Sequence, residues 1–267
     1  MTKKALLAWY VAAGVDETIG EATTDHLTAP TIAAPPPEPK AVQAQAAMPS
    51  IPQASPLHHS PSSATAAARA LADGCQTLVE LEDAVRRFDG CAIKKTASKT
   101  VFADGNPKAR IMIIGEAPGA QEDMQGIPFC GPSGQLLDKM LASIGLDRSK
   151  VYITNTVFWR PPGNRQPSTE ETTTCLPFVE RHIALIKPAL LILSGGTATT
   201  TLLNQEQSIS RLRGKLYQYR NIYLDAPIAT AVTYHPSYLL RSPGQKRLAW
   251  NDLLFFKKFL EENKISN

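Results

Sequence analysis

The stretch RIMIIGEAPGAQEDMQGIPFCGPSGQLLDKML, from Arg110 to Leu141, decides the fold prediction. Its opening run, RIMII, is almost wholly apolar, which is typical of a strand that is covered on both faces. From Gln135 onward the apolar residues recur at helical spacing. The connection between them is rich in glycine, proline and acidic residues and far longer than most strand-to-helix loops. Such a loop is either disordered or a binding site.

The rest of the chain repeats this alternation of strand and helix. Further apolar runs with strand character are VYIT at 151–154, ALLIL at 189–193 and ATAVTY at 229–234. Helical patterns cover 135–144, 168–187, 197–203 and 247–263. The order predicts an α/β fold, with a parallel sheet between two layers of helices.

The first part of the chain differs in composition from the remainder. Residues 28–66 are rich in proline and alanine and carry only two charges, Glu38 and Lys40, so we expect a disordered linker. Residues 1–27 then form a separate helical appendage, and the folded domain covers 67–267. Near its start, Thr77 to Glu80 has the pattern of a capping box that begins a helix.

Composition excludes several protein classes. The net charge of +4 permits a nucleic acid partner without requiring one. Four cysteines without CxxC spacing disfavour a zinc ribbon or a secreted disulfide framework. No apolar run reaches the roughly 18 residues that span a bilayer, and the N-terminus lacks a cleavage site. We therefore expect a cytoplasmic protein without membrane association.

Ligands of an open parallel sheet bind at the carboxyl ends of its strands. At these ends the sequence places the loop Gly115 to Gly119, then Asn155, then His235. No P-loop, GxGxxG, GxSxG or HExxH motif is present. An amide, an imidazole and the nearby Phe129 suit a flat heterocyclic base, and loop arginines suit phosphates. Taken singly, the asparagine could cap a turn, the histidine could bond a carbonyl and the phenylalanine could be core.

Three motifs in order carry a resemblance to a known family. They are GEAPG-x2-ED-x2-G-x-PF-x-G-x2-G-x-LLD, then YITN-x4-RPPGNR-x-P, then HPSYLLR. This set resembles the type 4 uracil-DNA glycosylases and covers residues 75–262. The resemblance implies a three-layer α/β/α sandwich around a four-stranded parallel sheet. It also implies the removal of uracil from DNA, the first step of base excision repair.

The resemblance assigns roles to the base-binding residues. Asn155 would read the uracil edge, Phe129 would stack on the flipped base, and His235 would donate toward uracil O2 as the bond breaks. Ala117 lies in the uracil-binding loop, where the best-known branch of the superfamily has an aspartate. The remaining candidates to orient water or stabilise the sugar cation are Glu116, Glu122 and Asn164.

A second group of residues is expected to hold the DNA. Leu239 would wedge into the vacated base stack, while Ser237 and Arg241 would grip the backbone. Arg160 and Arg165 lie in the second loop and are expected to bind phosphates. Uracil-containing DNA is therefore the expected partner of a monomeric protein, and the N-terminal helix is a candidate site for a protein partner.

Type 4 enzymes typically hold a [4Fe–4S] cluster with four cysteines, and this chain departs from that pattern. Only Cys91 and Cys175 occupy ligand positions, while the other two are Phe88 and Trp159. A cubane cluster ordinarily needs four protein ligands, so we expect no cofactor and no metal.

Two other functions remain open from the sequence. One is a relative that binds uracil-DNA, or traps it covalently, without turnover. Trapping relatives carry a basic loop with a second histidine before the HPS motif, and 214–234 contains no histidine. The other is a recruitment protein that acts through its N-terminal helix and tether.

Overall fold

The computed structural model of the protein describes residues 62–205 and 207–265. The predicted helical appendage at 1–27 and nearly all of the predicted linker lie outside these residues. The helices are Ser63–Gly74 (α1), Leu78–Arg87 (α2), Ala120–Gln125 (α3), Pro132–Ala142 (α4), Thr169–Ile186 (α5), Gly196–Leu203 (α6), Ile209–Leu212 (α7), Pro236–Arg241 (α8) and Lys246–Glu262 (α9). The strands are Asp104–Gly105 (β1), Ile111–Gly115 (β2), Tyr152–Asn155 (β3), Leu190–Ser194 (β4), Leu216–Tyr219 (β5) and Ile228–Thr233 (β6).

The sheet contains the four predicted parallel strands and two more. Its order is β1-β3-β2-β4-β6-β5, in which β3, β2, β4 and β6 are parallel to one another. The four predicted parallel strands are confirmed, and β1 and β5 add an antiparallel strand at each edge. The central strands are buried along their length, as their apolar composition requires.

Helices cover both faces of the sheet, so the predicted α/β/α sandwich is confirmed. Side chains of Met112 and Ile114 face a core that includes α1, α2, α5 and α6. Their neighbours Ile111 and Ile113 face the opposite core, with α4, α8 and α9. Adjacent residues of a strand point to opposite faces, which explains why one short apolar run supplies both cores.

One predicted capping motif can be checked directly, and two helices begin earlier than the sequence indicated. The capping box at Thr77 is confirmed, with Glu80 N donating to Thr77 Oγ1 at 3.2 Å. Helix α1 begins at Ser63, so regular structure starts four residues before the expected domain boundary at Ala67. Helix α4 begins at Pro132, three residues before the predicted pattern at Gln135. None of the helices in the described ranges is long and apolar enough to cross a membrane.

Candidate active site

A cavity of about 760 Å³ opens at the carboxyl ends of the parallel strands. The three loops singled out from the sequence meet there. Ten of the twelve predicted site residues line it: Glu116, Ala117, Glu122, Phe129, Asn155, Asn164, Arg165, His235, Ser237 and Arg241. Arg160 and Leu239 do not.

Asn155 is the last residue of β3 and lies beside Gly115, the last residue of β2. It is only 2% exposed, and within the described ranges its Oδ1 has no hydrogen-bond partner. A Cβ on Gly115 would lie 2.5 Å from that oxygen, which is closer than van der Waals contact allows. Glycine at this position therefore leaves the space that the Asn155 amide occupies. Since buried polar atoms are nearly always paired, this oxygen is available to a ligand.

Phe129 has an unusual backbone and a buried ring. Its φ is +52°, in the left-handed region that bulky residues rarely adopt, and it is 4% exposed. The ring centroid lies 5.4 Å from that of His235, with the ring planes 31° apart. A Cβ on Gly115 would also approach Phe129 Cζ to 2.5 Å. Phe129 is therefore buried like a core residue and also forms part of the cavity wall. The two alternatives raised from the sequence, a core residue and a residue of the site, are compatible.

His235 is the N-cap of α8, and this role fixes the tautomer of its ring. Its Nδ1 accepts the Ser237 backbone N–H at 3.2 Å and lies 2.8 Å from Ser237 Oγ. Burial, and secondarily the charge of Arg241, lowers the pKa of His235 to about 4. The ring is therefore neutral at pH 7, and because Nδ1 accepts, the proton sits on Nε2. Nε2 is buried and has no partner in the described part of the chain.

Glu116 is held by two residues that the sequence analysis missed. Thr197 Oγ1 donates to Glu116 Oε2 at 2.6 Å, and Gln166 Nε2 donates to Thr197 Oγ1 at 2.7 Å. Thr197 follows Gly195 and Gly196, directly after β4. The strand-end rule therefore contained the signal that would have found it, since β4 is one of the central parallel strands.

Glu122 lines the cavity, but its carboxylate braces the long loop. Oε2 accepts the Gly119 N–H at 3.1 Å, and Oε1 accepts the Gly131 N–H at 2.8 Å. Both oxygens are thus engaged with the two ends of the loop around α3. This arrangement does not support the expectation that Glu122 orients water, and it explains why the loop is ordered despite its length.

Several residues expected to hold DNA are engaged within the protein. Arg165 makes a two-point salt bridge with Glu171, at 2.8 and 2.6 Å, so its fork is not open to a phosphate. Arg160, which does not line the cavity, donates from Nε to Asn164 Oδ1 at 2.7 Å. The Ser237 hydroxyl contacts His235. Arg241 is exposed and lines the cavity, and its DNA contact stays a prediction.

Leu239 does not meet the expectation of a wedge. It is 1% exposed and packs in the core beneath α8, because the helix turns this position toward the sheet. The next residue, Leu240, is 42% exposed. A wedge must stand free of the protein, so Leu239 cannot serve as one in this conformation.

The positions that correspond to cluster ligands form a packed core. The sulfurs of Cys91 and Cys175 lie 3.9 Å apart, in van der Waals contact, whereas cysteines of a cubane are separated by the cluster itself. Trp159 is 1% exposed and donates from Nε1 to Thr100 Oγ1 at 3.0 Å. The ring of Phe88 packs edge-on against Phe178, with centroids 5.1 Å apart. These residues do not fit an iron–sulfur cluster, and no group of three metal-binding side chains occurs in the described ranges.

Comparisons with known proteins identify the family of the chain. The family model of the uracil DNA glycosylase superfamily matches residues 102–254. The type-4 uracil-DNA glycosylase of Archaeoglobus fulgidus is 39% identical over 188 residues, which are 68% of this chain and 92% of that protein. That of Saccharolobus solfataricus is 38% identical over 70% of this chain and 88% of its own. That of Pyrobaculum aerophilum is 35% identical over 70% of this chain and 99% of its own. The chain therefore belongs to the uracil-DNA glycosylase superfamily and, within it, to the type-4 group.

Proposed function

We propose that the protein hydrolyses the N-glycosidic bond of uracil in DNA and leaves an abasic site. The observation that carries the proposal is a pair of buried polar atoms without partners, Asn155 Oδ1 and His235 Nε2. Both residues line one cavity beside the ring of Phe129. Uracil supplies the complement, since its N3–H can donate to Oδ1 while its O2 accepts from Nε2. Cytosine has no proton on N3 and an amino group in place of O4, so it would leave Asn155 mismatched.

A base must leave the DNA stack to enter the cavity. Asn155 and Phe129 are 2% and 4% exposed, too deep to contact a base inside a duplex. Flipping costs a few kcal/mol, and stacking on an aromatic ring returns about 1 to 3 kcal/mol. Arg241, which is exposed and lines the cavity, is proposed to contact a phosphate of the flipped nucleotide.

The chemistry follows from the neutral His235. As the bond between C1′ and N1 breaks, its electron pair leaves with the base and negative charge develops on O2. A fixed Nε2–H donor stabilises that charge by about 3 to 4 kcal/mol, the amount attributed to one oxyanion-hole donor. A charged imidazolium is not needed, and burial disfavours it.

Water then adds to C1′ of the sugar cation, and the proton that it loses passes to the uracil anion, so that the products are free uracil and a sugar hydroxyl. Such a dissociative step needs little base strength, so the alanine at 117 does not weaken the proposal. Glu116, fixed through Oε2 by Thr197, is proposed to position this water and to stabilise the cation. Asn164 also lines the cavity and remains a candidate for the same role.

We also propose that the chain works without a [4Fe–4S] cluster. The contact between Cys91 and Cys175 supports this, as do the buried aromatic residues at the other two ligand positions. Metal analysis of protein purified without oxygen tests it. About four irons per chain, the content of one cubane, would refute the proposal.

We propose that Leu240, rather than Leu239, enters the vacated base stack, because Leu240 is exposed next to Arg241 on α8.

The protein is proposed to be a cytoplasmic monomer. Four cysteines that form no disulfide suit a reducing compartment.

Incubation with a uracil-containing oligonucleotide, followed by alkali, tests the function. We expect strand cleavage at uracil with the wild type, none on the matching cytosine oligonucleotide, and a severe loss with Asn155→Ala. An alkali-resistant oligonucleotide after long incubation with excess protein would refute the proposal. A protein–DNA adduct that survives denaturation would instead identify a covalent trap.

A further inference from the structure

Arg148 lies outside the cavity and connects β1 and α4 to the loop that carries Phe129. It begins the short 3-10 helix Arg148–Lys150 before β3. Its Nη1 contacts Asp104 of β1 at 2.5 Å, and its Nε contacts Asp138 of α4 at 2.8 Å. The same guanidinium donates to two backbone carbonyls, those of Pro128, at 3.3 Å, and Phe129.

Phe129, whose carbonyl Arg148 contacts, has an unfavourable backbone conformation. Phe129 has φ +52°, and a phenylalanine keeps such a backbone only when its surroundings hold it there. Residues in this state cluster at ligand sites, where the strained geometry is part of the function. In this protein the geometry sends the ring toward Gly115 and His235.

The carbonyl of Phe129 is held from two sides. Arg148 Nη2 donates to it, and the first turn of α4 approaches so closely that a Cβ on Gly134 would lie 1.5 Å from its oxygen. Fixing the carbonyl fixes the peptide plane, and the peptide plane determines where the ring can point. The two aspartates hold the guanidinium itself in place, so the fork cannot swing away.

We propose that Arg148 is a positioning residue for base recognition, which acts through the backbone of Phe129 and does not touch the substrate. The inference rests on the proposed function, because it concerns the uracil pocket. Loss of Arg148 frees the carbonyl, lets the backbone relax to a negative φ and moves the stacking face. The DNA backbone is bound elsewhere and is not affected.

A double-mutant cycle with Phe129 tests this. Inhibition by free uracil reports the base pocket, and binding of abasic-site DNA reports the backbone contacts. Arg148→Ala should weaken uracil binding about tenfold, within the range of one stacking interaction, and leave abasic-site DNA affinity within about twofold. In the Phe129→Ala background, Arg148→Ala should have little further effect on uracil, because the ring it positions is gone.

The control is Arg69→Ala, which also removes an arginine–carboxylate contact, to Glu180 at 2.5 Å, and neither residue lines the cavity. It should lower the Tm without changing uracil inhibition. Additive effects in the cycle would overturn the proposal, as would an equal loss of abasic-site DNA binding or an equal effect of Arg69→Ala. If Arg148→Ala does not fold, Arg148→Lys, which keeps the charge but cannot reach both carbonyls, enters the same cycle. A wild-type protein that excises no uracil refutes the proposed function instead.

Discussion

Gly115→Ala should disable base recognition by adding a single methyl group. The new Cβ would stand 2.5 Å from Asn155 Oδ1 and 2.5 Å from Phe129 Cζ, against an ordinary contact of at least 3.4 Å. The difference, 3.4 − 2.5, means that about 0.9 Å of displacement must be shared among these groups. Gly115 has no positive φ, so the effect is steric and not conformational.

The expected magnitude follows from that displacement. A misplacement of about 1 Å costs on the order of 100-fold in rate, or about 2.7 kcal/mol of transition-state stabilisation. We therefore expect kcat/KM for uracil excision to fall about 100-fold. Overpacking should also lower the free energy of unfolding by about 1 to 3 kcal/mol, so the assay belongs well below the variant's Tm.

Gly74→Ala is the matched control. It adds the same methyl group at the end of α1, where nothing lies within 4 Å of the new Cβ. Its excision rate should equal that of the wild type, and its Tm should be unchanged or slightly higher, because alanine at a compatible helical position stabilises a protein by about 0.4 to 1 kcal/mol. If Gly115→Ala kept kcat/KM within about threefold of the wild type while folded, Asn155 and Phe129 would not form the base pocket.

Three further predictions follow from the site. Because the pKa of His235 is lowered to about 4, excision should show no ionisation near pH 6.5 and should fall only as the pH approaches 4. The stability gained by burying this neutral ring is full above pH 6.5 and is lost as the pH falls from 6.5 through 4, which a Tm series measures. Leu240→Ala should slow excision from duplex DNA more than from single strands at unchanged Tm. Leu239→Ala should instead lower the free energy of unfolding by about 2 to 5 kcal/mol, because it opens a core cavity. If Leu239→Ala slowed duplex excision at unchanged Tm while Leu240→Ala lowered the Tm, Leu239 would be the wedge. Aerobic and anaerobic preparations should have the same activity and no absorbance near 400 nm. A higher activity together with absorbance near 400 nm in the anaerobic preparation would contradict this.

The sequence predicted the parts of the fold that depend on continuous hydrophobicity. The four central strands are buried on both faces, so their composition alone marks them. The edge strands escaped because β1 has two residues and β5, LYQY, is half exposed. Neither has enough buried surface to leave a pattern, and only pairing to a neighbour makes them strands.

The site was predictable in position but less so in detail. Strand ends and motifs found the cavity and most of its lining. They could not show that Glu122 is used by the loop backbone or that Arg165 is paired with Glu171. They also could not show that the turn of α8 buries Leu239. Each of these facts depends on a partner brought close by folding, which a linear motif does not contain.

The N-cap role of His235 affects how mutational data on this protein should be interpreted. The imidazole both caps the N-terminus of a helix and faces the cavity. A substitution therefore changes the stability of that helix and the chemistry of the cavity at once. Alanine removes the acceptor for the Ser237 N–H as well as the donor at Nε2. Asparagine is among the best N-cap residues and would keep the first function while altering the second. A comparison of these two variants separates chemistry from folding, whereas a scan with alanine alone would attribute both losses to catalysis.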